Sequence, residues 1–175
     1  QLAAQLVHLD GIPPAPGESI AIAARSNIQT SDIAAFRSTF ALPVNPVLSS
    51  PAGSDPGLTA DQPAIELAAS WAGVAAPAAR ILVVPAAPTA ATDGVDLSLS
   101  AIIDQNQAHT VVVPYSSCEA ALSSAHQAFY AALYRQAAAQ GISIVVASGD
   151  SGAAACHPTT STAEVTTGLA VNALA

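Results

Sequence analysis

The chain has 175 residues, the size of one domain, and hydrophobic residues make up 51% of it, ample for a core. It contains no lysine, four arginines and twelve acidic residues, for a formal charge of -8. That balance weighs against nucleic acid, which needs cationic contacts to phosphate, and against anionic lipid, and no apolar run approaches the length that spans a bilayer. Few ionisable groups of either sign also leave few charges to change on acidification, which suits an acidic medium. Met is absent, so Gln1 is expected to be a processed end from which any signal peptide has gone.

Strand and helix signals alternate along the chain. Ser19 to Ala24 (SIAIAA) reads as a strand, and Ser31 as the N-cap of a helix from Asp32 to Phe40 with Ile33, Phe36 and Phe40 on one face. Residues 43–63, rich in proline with glycine and serine, read as loop. Ala64 to Ala72 follows as a helix with Pro63 just before it, then Arg80 to Pro85 (RILVVP) as a strand, Asp96 to Gln107 as a helix and His109 to Tyr115 as a strand.

A long helix is expected next, capped by Ser116 or Ser117, with Glu119 in its first turn and Gly141 as the residue that ends it. His126 falls inside it and reads as a solvated or packed residue. Ile142 to Ser148 is apolar and β-branched, the pattern of a strand buried on both faces. Strands joined by helices predict an α/β fold, a parallel sheet flanked by helices. The apolar ending at Ala175 suggests that more polypeptide completes it.

The last predicted strand runs into Gly149-Asp150-Ser151-Gly152, a turn that places one carboxylate at a strand's carboxyl end, where open α/β sheets carry their ligand and catalytic groups. A chymotrypsin-like reading with Ser151 as nucleophile fails on context, because that architecture is all-β and no histidine here lies in a matching motif. Asp150 also has a purely structural reading, as an aspartate bonding nearby backbone N–H groups of its turn. Cys118 and Cys156 lie 38 residues apart; in an exported protein they would pair, and the other reading is two separate buried thiols. One histidine beside one cysteine, His157 and Cys156, makes no zinc site, so no metal site is expected on this chain.

Three stretches, ESIAIAARSNIQTSDIAAFRSTFALP, SSCEAALSSAHQAFYAALYRQAAAQGISIVVASGDSGAAACH and EVTTGLAVNALA, resemble the sedolisin family of serine-carboxyl peptidases. The resemblance runs from about Gly17 to Ala175. It implies a subtilisin-like α/β domain and a secreted protein working at acidic pH, in keeping with a disulfide between Cys118 and Cys156. In that family a Ser attacks the peptide carbonyl, a Glu held by an Asp takes its proton, and a further Asp donates a hydrogen bond to the developing oxyanion. Asp150 matches that oxyanion residue.

The chain departs from the family pattern in three places. The Glu and Asp of the pair are spaced four apart, so they share a helix face. Anchoring on Trp71-Ala72-Gly73 and Ala76-Pro77 puts Ala64 at the Glu position and Ala68 at the Asp position. Glu66 lies between them, about 160° around the helix from Ala68 at ~100° per residue. The strand edge that in the family takes extended substrate (S-x-S-x-G) has Val112, Pro114 and Ser116 here, which points to altered substrate binding. The family's nucleophile and its calcium site would lie beyond residue 175, so no cofactor is expected on this chain.

The reading is therefore a sedolisin-like homologue, inactive as a peptidase on this chain, that acts as a binding or structural protein. Its expected partners are a C-terminal chain of the same precursor and a peptide or protein ligand. Two alternatives stand beside it. One is an active secreted acid endopeptidase completed by a C-terminal chain, with Glu66 as an acid/base residue. The other is an unrelated small-ligand-binding α/β domain, although GDSGAA matches no phosphate-binding fingerprint.

Overall fold

The computed structural model describes residues 16–154, 156–157, 164 and 168–174. Its strands are β1 (Ser19–Ala24), β2 (Leu48–Ser49), β3 (Arg80–Pro85), β4 (Thr110–Val113) and β5 (Ser143–Val146). Its helices are α1 (Thr30–Thr39), α2 (Gln62–Ala75), α3 (Gly94–Asp104) and α4 (Ser124–Ala139), with a 3-10 turn at Glu119–Ala121. All strand pairs are parallel, in the order β2-β3-β1-β4-β5. This is the α/β sheet flanked by helices that the alternating signals predict.

Beyond their first residues the central strands are apolar, because both of their faces are covered. Ala21, Ala23, Leu82, Val84, Val111 and Val113 pack under Leu99, Ile102 and Ile103 of α3 and Tyr130, Leu133 and Ala137 of α4. On the other face Ile22, Ala24, Ile81 and Val83 meet Ile33 of α1 and Ile65 and Ala69 of α2. Alternate residues thus feed two separate cores, as the period of a strand requires. Buried Ser98 on α3 ties this layer to the sheet: its hydroxyl accepts from Ala24 N (3.1 Å) and donates to the Val84 carbonyl (2.5 Å).

Four expectations need correction. β5 is not buried on both faces: among the described residues it is the sheet edge, Ile144 and Val146 pack on the α3–α4 core, but Ser143 and Val145 are exposed, Val145 at 54%. No described helix covers that side of it. The long helix begins at Ser124, not at residue 117. Cys118 is held extended by an antiparallel bridge to Asn172 and by its disulfide, and Ser123 supplies the cap by accepting from His126 N.

α1 starts at Thr30 and not behind a Ser31 cap. Its entry residue Gln29 has no capping side chain of its own, and the Gln29 N–H is met by Glu66 Oε1 at 2.8 Å. The stretch read as loop contains β2, two residues long, paired with Leu82 and Val83.

Candidate functional site

The winding of the sheet creates a crevice. From β1 the chain steps to β2 and β3 with α1 and α2 on one face, then crosses to β4 and β5 with α3 and α4 on the other. The segments leaving neighbouring β1 and β4 therefore diverge, which opens a cleft at their carboxyl ends. Arg25, the first residue after β1, and Tyr115, two past β4, stand in it.

Arg25 joins everything around it. Its backbone N–H donates to the Tyr115 hydroxyl (2.9 Å), and its guanidinium lies 4.6 Å from the centre of the Tyr115 ring. Nε donates to Asp61 Oδ2 at 2.9 Å and Nη1 to Asp93 Oδ2 at 3.3 Å. Those two aspartates sit at the entries of α2 and α3, where negative charge is favoured. Partial burial works to lower the Arg25 pKa, but Asp61 and Asp93 outweigh it and hold it above its ordinary value. Burial pushes the Tyr115 hydroxyl up.

Beneath Arg25 and Tyr115 lies a cavity of about 190 Å³ that reaches down between α3 and α4. Asp96, in the first turn of α3 and only 5% exposed, forms part of its wall. One Asp96 oxygen accepts from the Tyr130 hydroxyl at 2.5 Å. The other lies 2.8 Å from His126 Nε2, an ion pair when the imidazole is protonated. The His126 ring stacks on Tyr130, 5.1 Å between centres and 17° from parallel. Burial, then the bond to Asp96, drives the Tyr130 hydroxyl far above its usual pKa. Among the described residues no group of three His, Cys, Asp or Glu side chains could hold a metal ion.

Of the site residues singled out in the sequence, Ser116 lines the cavity. Ala64 is exposed and Ala68 half-buried on α2. By helical spacing both share a stripe with Asp61, the carboxylate that Arg25 engages. Glu66 is turned elsewhere, accepting from Gln29 N and from Gln62 Nε2, both at 2.8 Å. Pro114 follows the last residue of β4. Ser116 packs against Gly149, whose φ of +92° suits glycine and where a Cβ would come within 3.0 Å of the serine hydroxyl. Asp150, next in line, is exposed, and the Ser151 hydroxyl donates to the His157 carbonyl at 3.0 Å.

Cys118 and Cys156 form a disulfide, which ties the connection after β4 to the one after β5. Asn172 makes a second tie. Its Oδ1 accepts from Ser117 N (2.9 Å) and Leu174 N (3.0 Å), and its Nδ2 donates to the Ala147 carbonyl (2.6 Å). Sequence reasoning missed Asn172 and the Arg25 network. The one available signal was an arginine, in a chain with only four, directly after a buried strand. His126 was read as mid-helix; it lies in the first turn of α4 and faces Asp96.

No family model matches the chain, and no curated protein sequence matches it. A solved structure does: a Pseudomonas sedolisin, a serine-carboxyl proteinase, in complex with two molecules of pseudo-iodotyrostatin. The match has 23% identity and a TM-score of 0.73, and it covers 94% of this chain and 47% of that one. This chain therefore spans about half the length of the protein it resembles. At this identity the likeness establishes the fold, a sedolisin-type, subtilisin-like parallel sheet.

Proposed function

We propose that this chain belongs to a sedolisin-like serine-carboxyl peptidase homologue that has lost the Glu/Asp pair and binds a peptide or protein ligand without cleaving it. The observation that carries this reading is α2. Ala64 and Ala68 stand on the stripe that leads to Asp61, where the family motif has its two carboxylates. Methyl groups there can neither accept the proton of an attacking serine nor orient a base.

The neighbouring carboxylates do not fill the gap. Asp61 is paired with Arg25, and Glu66 meets the entry of α1. The alternative of an active enzyme using Glu66 as its base is therefore disfavoured, since Glu66 points to Gln29 and Gln62. Asp150 retains the oxyanion position in this reading. It sits on a turn whose Gly149 is pressed against Ser116.

The nucleophile, and any calcium site, would be contributed by polypeptide corresponding to the remaining half of a sedolisin. The open edge and uncovered face of β5 suit the docking of such a partner segment. The disulfide and the family likeness support a protein that works outside the cell.

The test is Ala64→Glu combined with Ala68→Asp in the complete protein. Hydrolysis of an unfolded protein substrate near pH ~4, where carboxylates serve as bases, is expected to rise from background to a measurable rate. A double variant no different from the parent would contradict the assignment of these positions.

A further inference from the structure

We infer that the groove between α1 and residues 41–47, away from the Arg25 cleft, binds an aliphatic carboxylate: a hydrocarbon chain ending in one negative charge. The groove encloses about 720 Å³, the size of a small-molecule site. Ile33 and Val47 line it and are buried members of the core on that face of the sheet. Leu42 and Val44 continue the apolar wall, and Val44 at the rim is 97% exposed, a branched hydrocarbon left in water.

The wall is built before any ligand arrives. Residues 42–47 read Leu-Pro-Val-Asn-Pro-Val, so two prolines fix the backbone on either side of Val44. The Pro43 carbonyl accepts from Arg37 Nε at 2.8 Å and Nη2 at 2.6 Å. Asn45 Nδ2 donates to the Ala79 carbonyl at 2.6 Å and to the Pro77 carbonyl at 3.1 Å, which pins the segment to the entry of β3. A concave, largely apolar surface with a few fixed polar groups is the form that ligand sites take.

Charge selects the ligand. Arg37 is the one charged side chain among the described residues that line the groove, and it is only 4% exposed. Arg25 is met by two carboxylates, whereas Arg37 has none: its described partners are the carbonyls of Pro43, Gly73 and Pro77. Burial lowers the Arg37 pKa, with no carboxylate to raise it. A buried cation held by dipoles alone still lacks a counter-charge. Asp32, on the same helix, does not line the groove.

A ligand cation would meet like charge here. A phosphate or other polyanion would lose water to an apolar wall that offers it few donors. One carboxylate matches the one guanidinium in charge, the Ser38 and Thr30 hydroxyls line the same space and can donate to it, and its hydrocarbon chain covers Ile33, Leu42 and Val44.

The experiment is calorimetric titration of the intact protein with octanoate, n-octanol and octylammonium, at a salt concentration that screens the net charge of the molecule. The three probes share a chain length and differ in the charge of the head. Each is repeated on Val44→Asp and Val44→Lys, substitutions at an exposed side chain, and on Arg37→Gln. Octanoate is expected to bind at least about tenfold more tightly than either other probe. Val44→Asp is expected to weaken octanoate about two- to fivefold, as a like charge at the rim does, and Val44→Lys to leave it unchanged or tighten it. Arg37→Gln is expected to abolish the preference for octanoate. If loss of the guanidinium unfolds the protein, the opposite effects of the two Val44 variants still decide the matter. Absence of octanoate binding in the millimolar range, octanol or octylammonium binding as tightly, or equal shifts in Val44→Asp and Val44→Lys overturns the proposal.

Discussion

Arg25 shows why the cleft could not be read from neighbouring residues. Its partners Asp61, Asp93 and Tyr115 are 36, 68 and 90 positions away, so no local pattern unites them. The turn at Gly149 and the helix that carries Ala64 and Ala68 were legible because a turn and a helical stripe are short-range patterns. Tyrosines on α4 give this scale its own test. The Tyr134 hydroxyl donates to the Leu174 carbonyl at 2.6 Å, and burial pushes its pKa up from the ordinary 10.0 to about 12. An acid whose pKa is raised by folding stabilises the protein fully below its unfolded pKa, and that contribution is lost as pH rises toward the folded value. Denaturant unfolding should therefore show stability falling between pH 10.0 and about 12, with a shallower fall in Tyr134→Phe. An identical slope in the variant would mean that the hydroxyl is not protected by folding.

The elements followed from periodicity wherever a stretch was long and capped, and failed where distant contacts overrode the local signal. Residues 117 to 122 have helix-forming composition, yet the Cys118 disulfide and the Asn172 bridge keep them out of α4. β5 carries the residues of a doubly buried strand but sits at an edge, because composition does not encode strand order. Two substitutions test how the elements are tied together. Ser98→Ala leaves the Ala24 N–H and the Val84 carbonyl without their buried partner, and should cost about 1–3 kcal/mol in urea unfolding. Replacing Cys118 and Cys156 by serine opens a closure of 38 residues, for which chain entropy predicts a loss of about 3–4 kcal/mol. A loss well below 1 kcal/mol in the first case would mean that the hydroxyl is dispensable to helix docking. An unchanged midpoint in the second would remove the disulfide from the account of what positions the cleft.

At the scale of the molecule, a five-stranded parallel sheet sets the carboxyl ends of β1 and β4 side by side, and the change of winding direction between them decides where the cleft opens. The fold class was legible in full from alternating strand and helix signals. The location of the cavity was not, since it depends on strand order and on which face each helix takes. The function proposed above, ligand binding by a sedolisin-like homologue with Ala64 and Ala68 at the positions of the carboxylate pair, is tested on the whole protein. The most direct measurement is incubation of the purified complete protein with an unfolded protein substrate at pH ~4, where a serine-carboxyl mechanism would operate, with the products read by mass spectrometry. The account predicts an intact substrate. New peptide termini appearing at a rate that falls sharply with Asp150→Ala would contradict it.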